Sequence, residues 1–256
     1  MNVLRITRNR SAPILENFGE EVVLKDEKGV SLLSYGKNGS PPYKSNYVLG
    51  TPGFWLDPLN ESVRTYLSSL MKELVSNYSD LSGVHFDMIR YPLASKKKEA
   101  KSFRNQFRLA HEVSNVDKRK AVSDLVARMN RVVKSESSKI EVSSAVISNK
   151  KKAYSHVFQD WPLWLEEGYL DTAIPMNYNV KHGAFRKNTE FASSLFAGKK
   201  IMMGIGAWLF KSESDLRKQI EISLNNQVDG VTFFSYANIK KHKHLERFFL
   251  NFFSNK

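Results

Sequence analysis

From residue 56 onward, hydrophobic positions recur in two alternating patterns, one helical and one extended. Leu56-Asp57-Pro58-Leu59-Asn60-Glu61 reads as a helix start with Asn60 placed to cap the first turn, and Val63, Tyr66, Leu67, Leu70, Leu74 and Val75 follow at helical spacing. Ser82-Gly83 interrupts that helix before an extended run over Val84–Ile89. A second amphipathic helix is expected over roughly 118–136, through Ala121, Leu125, Val126, Met129 and Val132, and a strand over 140–147 follows it. Leu163–Glu167 reads as a helix closed by Gly168, and Thr172–Tyr178 as the next strand. A helix near 188–197 leads to a strand over Ile201–Trp208. Ser212 or Ser214 caps a helix through Leu216, Ile220 and Leu224. Asp229-Gly230 then opens a strand over Val231–Tyr236, before a terminal helix rich in phenylalanine. Five strands separated by helices imply a parallel sheet.

The first 55 residues fit this alternation poorly. They offer a short strand at Val3–Thr7, and Gly, Pro, Ser and Asn crowd residues 34–53 into an expected long loop. Neither an internal repeat nor a low-complexity linker appears, so the 256 residues read as a single domain: an irregular segment over 1–55 and βα repeats over 56–256. Five strands do not close a (β/α)8 barrel. The fold class is therefore α/β, as an open sheet or as a TIM-type barrel lacking its first strands.

The chemistry concentrates in residues 83–92, Gly-Val-His-Phe-Asp-Met-Ile-Arg-Tyr-Pro. Strand alternation places Val84 and Phe86 on one face and His85 and Asp87 on the other. In a barrel wrapped by helices, the C-terminal end of such a strand is where reactive groups stand. Asp87, Arg90 and Tyr91 fall at that end.

Composition adds a charge bias. The formal net charge is +13, and between Leu93 and Lys152 there are 16 Lys and Arg against 6 Asp and Glu. Lys96–Lys98, Lys150–Lys152, Lys181, Lys211 and Lys240–Lys243 each follow a strand, which in a parallel barrel puts them all on the face that carries the chemistry. The absence of cysteine excludes disulfides and thiolate catalysis. Apolar runs stay short of the ~20 residues of a membrane span, and residues 1–20 lack the basic-then-apolar pattern of a signal peptide.

Five segments together resemble one family. They are Leu56-Asp57-Pro58, Gly83–Pro92, Trp164-Leu-Glu-Glu-Gly-Tyr-Leu-Asp171, Pro175-Met-Asn-Tyr178 and Gly204-Ile-Gly-Ala-Trp208. In order and spacing they are similar to the bacterial glycosyl hydrolase-like family 10 barrels, which include cell-envelope enzymes acting on peptidoglycan glycan strands. The resemblance implies that Val84–Ile89 is barrel strand four and that the later strands are five to eight. It also implies that Met1–Thr7 is the end of strand three, with strands one, two and most of three absent, as a truncation, a late start codon or a frameshift would produce. Such relatives usually carry an export or lipoprotein signal, so the resemblance suggests an exported or envelope location.

Hydrolysis of a glycosidic bond needs two carboxyl groups flanking an oxocarbenium-like transition state. Asp87 is the expected first carboxylate. For the second, Asp160 in Gln159-Asp160-Trp161 is the leading candidate, with Asp57 and Asp171 as alternatives. Asp171 precedes its strand, at the end away from the chemistry, and Asp57 suits a helix start. Many relatives carry a second Asp at the position held here by Met88. His85 and Arg90 are candidates to bond the carboxylate or the substrate. Tyr91, Tyr178, Trp208 and Tyr236 at strand ends are candidates to stack on sugar rings, and Asn177 to bond a hydroxyl. Trp161 and Trp164 lie on a helical pattern and read as packing residues.

The expected partner is thus a polysaccharide, and the lysines point to an anionic one. No nucleic-acid reader motif is present. No cofactor or metal is expected: the six histidines form no His-Glu-x-x-His pattern, and Gly204-Ile-Gly206 lies inside a strand, unlike a dinucleotide loop. The alternative reading is a non-catalytic carbohydrate-binding barrel.

Overall fold

The computed structural model describes residues 1–6, 11–25, 29, 31, 33, 54–92, 113–195 and 199–254. The expected loop over 34–53 and the Lys96–Lys98 run lie outside the described residues. Strands Gly83–Phe86 (β3), Glu141–Ile147 (β4), Thr172–Met176 (β5), Lys200–Gly206 (β6) and Gly230–Phe234 (β7) form a five-stranded sheet in chain order. From β4 onward each neighbouring pair is parallel. The chain divides into two compact units, Met1–Val142 with Lys151–Asp160, and Ser143–Lys150 with Trp161–Lys256.

In the first unit, Arg5–Ile6 (β1) and Phe54–Trp55 (β2) pair antiparallel, with Pro13–Phe18 (α1) between them in sequence. Helix Glu61–Asn77 (α2) begins where the sequence predicts: the Asn60 side chain accepts from the Ser62 and Val63 amides at 2.8 and 3.3 Å. Such a cap contributes about 1 kcal/mol. Helix Asn115–Glu136 (α3) starts three residues before the expected position, because Ser114 caps it through the Asp117 amide and also donates to the Asp117 carboxylate. The two helices pack together, burying Val63, Leu67, Met71 and Val75 of one and Val122, Leu125, Val126, Met129 and Val133 of the other. Arg128 pairs with Glu61 across that contact.

The edge of β3 is covered from the N-terminus. Asn2 forms a parallel bridge with Asp87, the Asp87 amide donates to the Met1 carbonyl, and the Val3 amide donates to the Asp87 carbonyl, both at 2.8 Å. The segment that the sequence likens to the end of a third barrel strand therefore runs parallel beside β3.

In the second unit, β6 lies close against β5 at Gly204, where a Cβ would come within 2.9 Å of the Pro175 carbonyl oxygen. Only glycine permits that approach. Trp161–Glu166 (α5, following Lys150–His156, α4) ends at Gly168, whose φ of 70° takes the chain out of the helix. Trp161 and Trp164 are fully buried, and the Trp161 indole donates to the Ile147 carbonyl. Helix His182–Ser194 (α6) begins six residues ahead of the expected 188. Its first turns offer a single apolar anchor, Phe185, which is fully buried and outweighs the weak local signal. Glu213–Asn225 (α7), Tyr236–Lys241 (α8) and Lys243–Ser254 (α9) complete the unit. Leu245, Phe248 and Phe249 form the buried stripe of α9.

Candidate functional site

Along β3, Val84 and Phe86 are buried while His85 is exposed, so the alternation read from the sequence holds. The ladder ends at Phe86, and Asp87 is half-buried just beyond it. Its Oδ1 accepts the Met88 amide at 2.7 Å. Met88 adopts φ 55°, a left-handed conformation that turns the chain sharply after the carboxylate.

Arg90 and Tyr91 turn inward. Arg90 is 5% exposed; its guanidinium donates to the Tyr91 carbonyl at 3.0 Å and to the Met88 sulfur at 3.3 Å, and lies 5.3 Å from the centre of the Trp55 ring. Burial pulls its pKa down to about 10, with Asp87 acting in the opposite direction. Tyr91 is 2% exposed and packs edge-on against Phe158 at 5.3 Å. Burial first, and the charge of Asp57 second, push its phenol far above the ordinary range. Part-burial of the His85 ring, helped by the Met1 amino group, lowers its pKa, and Asp87 opposes that. His85 is thereby biased toward the neutral imidazole, able to both donate and accept a hydrogen bond.

The loop after α4 is tied to the turn after Asp87. The Tyr91 amide donates to the Val157 carbonyl at 3.0 Å, and the fully buried Gln159 donates through Nε2 to the Ile89 carbonyl at 3.4 Å. Asp160, half-buried, is the next residue along that loop. Two hydrogen bonds thus join the loops that carry Asp87 and Asp160. Asp57 serves the start of α2: Oδ1 accepts the Leu59 amide at 2.9 Å, and burial raises its pKa. Asp171 stands just before β5, at the strand end away from Tyr178.

In the second unit, Asn177 is 1% exposed and held on all sides. Its Nδ2 donates to the Phe185 carbonyl at 2.9 Å, and its Oδ1 accepts from Asn188 at 2.9 Å. Tyr178 and Trp208, after β5 and β6, meet with ring centroids 4.9 Å apart. A third ring joins them, which the sequence reading missed. Phe234, the last residue of β7, stacks on Tyr178 at 5.8 Å and 18° and lies 5.6 Å from Trp208 at 78°. Strand parity could have found it, but Phe233 and Phe234 are adjacent, and only packing shows that Phe233 turns to Phe249, at 4.6 Å. Tyr236 is 75% exposed in the first turn of α8. Lys151, Lys152, Lys181 and Lys211 are exposed; Lys240 is also exposed and pairs with Glu246.

Among the described residues no cluster of three or more His, Asp and Glu is placed to hold a metal ion. No helix among them is long and apolar enough to cross a membrane.

The sequence model of the glycosyl hydrolase-like 10 family matches residues 44–210. No curated protein matches the chain. Among solved structures, the β-galactosidase from Bacillus circulans sp. alkalophilus is similar with a TM-score of 0.59 and 12% identity, over 88% of this chain and 39% of that one. The catalytic domain of β-amylase from Paenibacillus polymyxa gives 0.56 and 10%, over 93% and 76%. The cold-adapted β-galactosidase from Rahnella sp. R3 gives 0.54 and 10%, over 89% and 39%. The chain thus spans less than half the length of either β-galactosidase. At these identities the likeness is one of fold, that of a TIM-type barrel, of which the described residues supply a sheet of five strands.

Proposed function

Since the chain belongs to the glycosyl hydrolase-like 10 family, we propose that it hydrolyses O-glycosidic bonds of a bacterial cell-envelope or extracellular glycan, with peptidoglycan strands as the leading substrate. The observation that carries this reading is the pair of hydrogen bonds, Tyr91 to Val157 and Gln159 to Ile89, between the loops bearing Asp87 and Asp160. Glycoside hydrolysis asks for two carboxyl groups held on a common frame.

In this reading Asp87 is one member of the acid–nucleophile or acid–base pair and Asp160 the other. The Met88 amide holds one Asp87 oxygen in place. Arg90, buried just beyond the strand end, interacts electrostatically with Asp87. In this reading His85, exposed on its strand, bonds a sugar hydroxyl. Tyr178, Trp208 and Tyr236 supply aromatic surface, and the exposed lysines favour an anionic glycan, such as one carrying lactyl carboxylates.

Product release from soluble peptidoglycan glycan strands tests the proposal. Asp87→Asn is expected to lower turnover by about 10²–10⁴-fold, and Asp160→Asn by a comparable factor. Full turnover by Asp87→Asn would refute the assignment. Binding of the strands without turnover by the native chain would select a carbohydrate-binding barrel instead. For an anionic substrate, affinity falls as ionic strength rises; a salt-independent affinity removes the anionic part of the reading.

A further inference from the structure

The aromatic group of the second unit has a directional geometry. Phe234 and Tyr178 are nearly parallel, so one face of Phe234 is covered by Tyr178. Trp208 is close to perpendicular to both rings, with its centroid 4.9 Å from Tyr178 and 5.6 Å from Phe234. A tryptophan capping the far face of Phe234 would stand about twice as far from Tyr178. Trp208 therefore lies beside the stacked pair and leaves the far face of Phe234 clear of both rings. Phe234 is 53% exposed, against 36% for Trp208.

A half-exposed phenylalanine at a strand end is costly to leave in water. Here it is also held still, stacked from below and walled from the side, and its neighbour Phe233 is anchored on Phe249. A rigid flat surface with no polar atom matches the C–H face of a pyranose ring, which presents axial hydrogens while its hydroxyls point outward to other partners. Resting on the glycosidase reading above, we propose that the open face of Phe234 is the platform on which one sugar ring of the glycan stacks, with Tyr178 and Trp208 as its support.

Binding of peptide-free peptidoglycan glycan strands to the Asp87→Asn protein tests this without interference from turnover. Trp208 is the reporter, because Trp55, Trp161 and Trp164 are all fully buried. Phe234→Tyr keeps a flat ring and is expected to bind within about twofold of the parent. Phe234→Leu keeps apolar bulk but loses the plane, and is expected to bind about tenfold more weakly. Equal binding by Phe234→Leu and the parent overturns the platform, as does an absence of binding by the parent. The two readings separate cleanly. Hydrolysis that needs Asp87 but not the Phe234 ring removes the platform alone. Ring-dependent binding with no turnover by the native chain keeps the platform and removes the hydrolase.

Discussion

The buried amide of Gln159 donates to the backbone carbonyl of Ile89, two residues past Asp87, across 70 positions of sequence. This bond and its companion from Tyr91 to Val157 turn two separate loops into one frame. Gln159→Met keeps the length of the side chain and removes the donor, leaving the Ile89 carbonyl short of a partner. A loss of about 1–3 kcal/mol is expected in urea unfolding. Turnover is expected to fall with it, while substrate affinity holds. Unchanged turnover in a correctly folded variant would show that the frame does not serve the chemistry.

The bridge from Asn2 to Asp87 makes a second, independent claim. Val3 is fully buried and its amide satisfies the Asp87 carbonyl. Val3→Pro deletes that donor and is expected to cost about 1–3 kcal/mol; Val3→Ile, which keeps the amide, should cost far less. Urea midpoints of the two variants decide it. If they coincide, the bridge contributes nothing to holding the strand end.

Asp57 sets a pH dependence whose sign is fixed. Burial raises its folded pKa above the ordinary 3.8, despite the Leu59 amide and the nearby Arg64, Lys25 and Lys118. Between these two values the folded chain keeps a proton that the unfolded chain has lost. Stability from this group therefore falls as pH rises through that window, and the deficit persists at neutral pH. Asp57→Asn retains an acceptor for the Leu59 amide and carries no charge. It is expected to be more stable than the parent at neutral pH, a gain that vanishes below the unfolded pKa. Thermal melts across pH provide the comparison, and a gain independent of pH would point to another cause.

Gly206 makes room for Trp208. A Cβ there would lie 3.0 Å from two ring carbons of the indole and 3.1 Å from Leu209. Gly206→Ala should displace Trp208 from its place beside Tyr178 and Phe234, at a cost of about 1–3 kcal/mol. Its tryptophan emission should change, and glycan binding should weaken. An unshifted spectrum would mean that the indole adapts without moving.

Much of this protein is legible in its sequence because the relevant signals are local. The parity of Val84 and Phe86 against His85 follows from a two-residue period, and the capping role of Asn60 from a side chain reaching amides two and three residues on. The order of strands and helices follows from the same periodicities. Strand ends were less legible: β5 stops at Met176, two residues short of the expected Tyr178, and the Asn177 side chain there bonds residues of α6.

The tertiary structure alone decided which residues meet. Nothing local distinguishes an aromatic that lines a cleft from one that turns inward, yet Tyr91 is buried on Phe158 while Phe234 stands half in water. Nor does the sequence say that Arg90 will lie over Trp55, or that Gln159 will bond Ile89. Those outcomes depend on backbone groups and rings brought together from distant positions, where the competing partners are set by packing and by the need to satisfy buried polar atoms. Sequence determined the elements and the residues able to do chemistry; packing determined which of them share a frame.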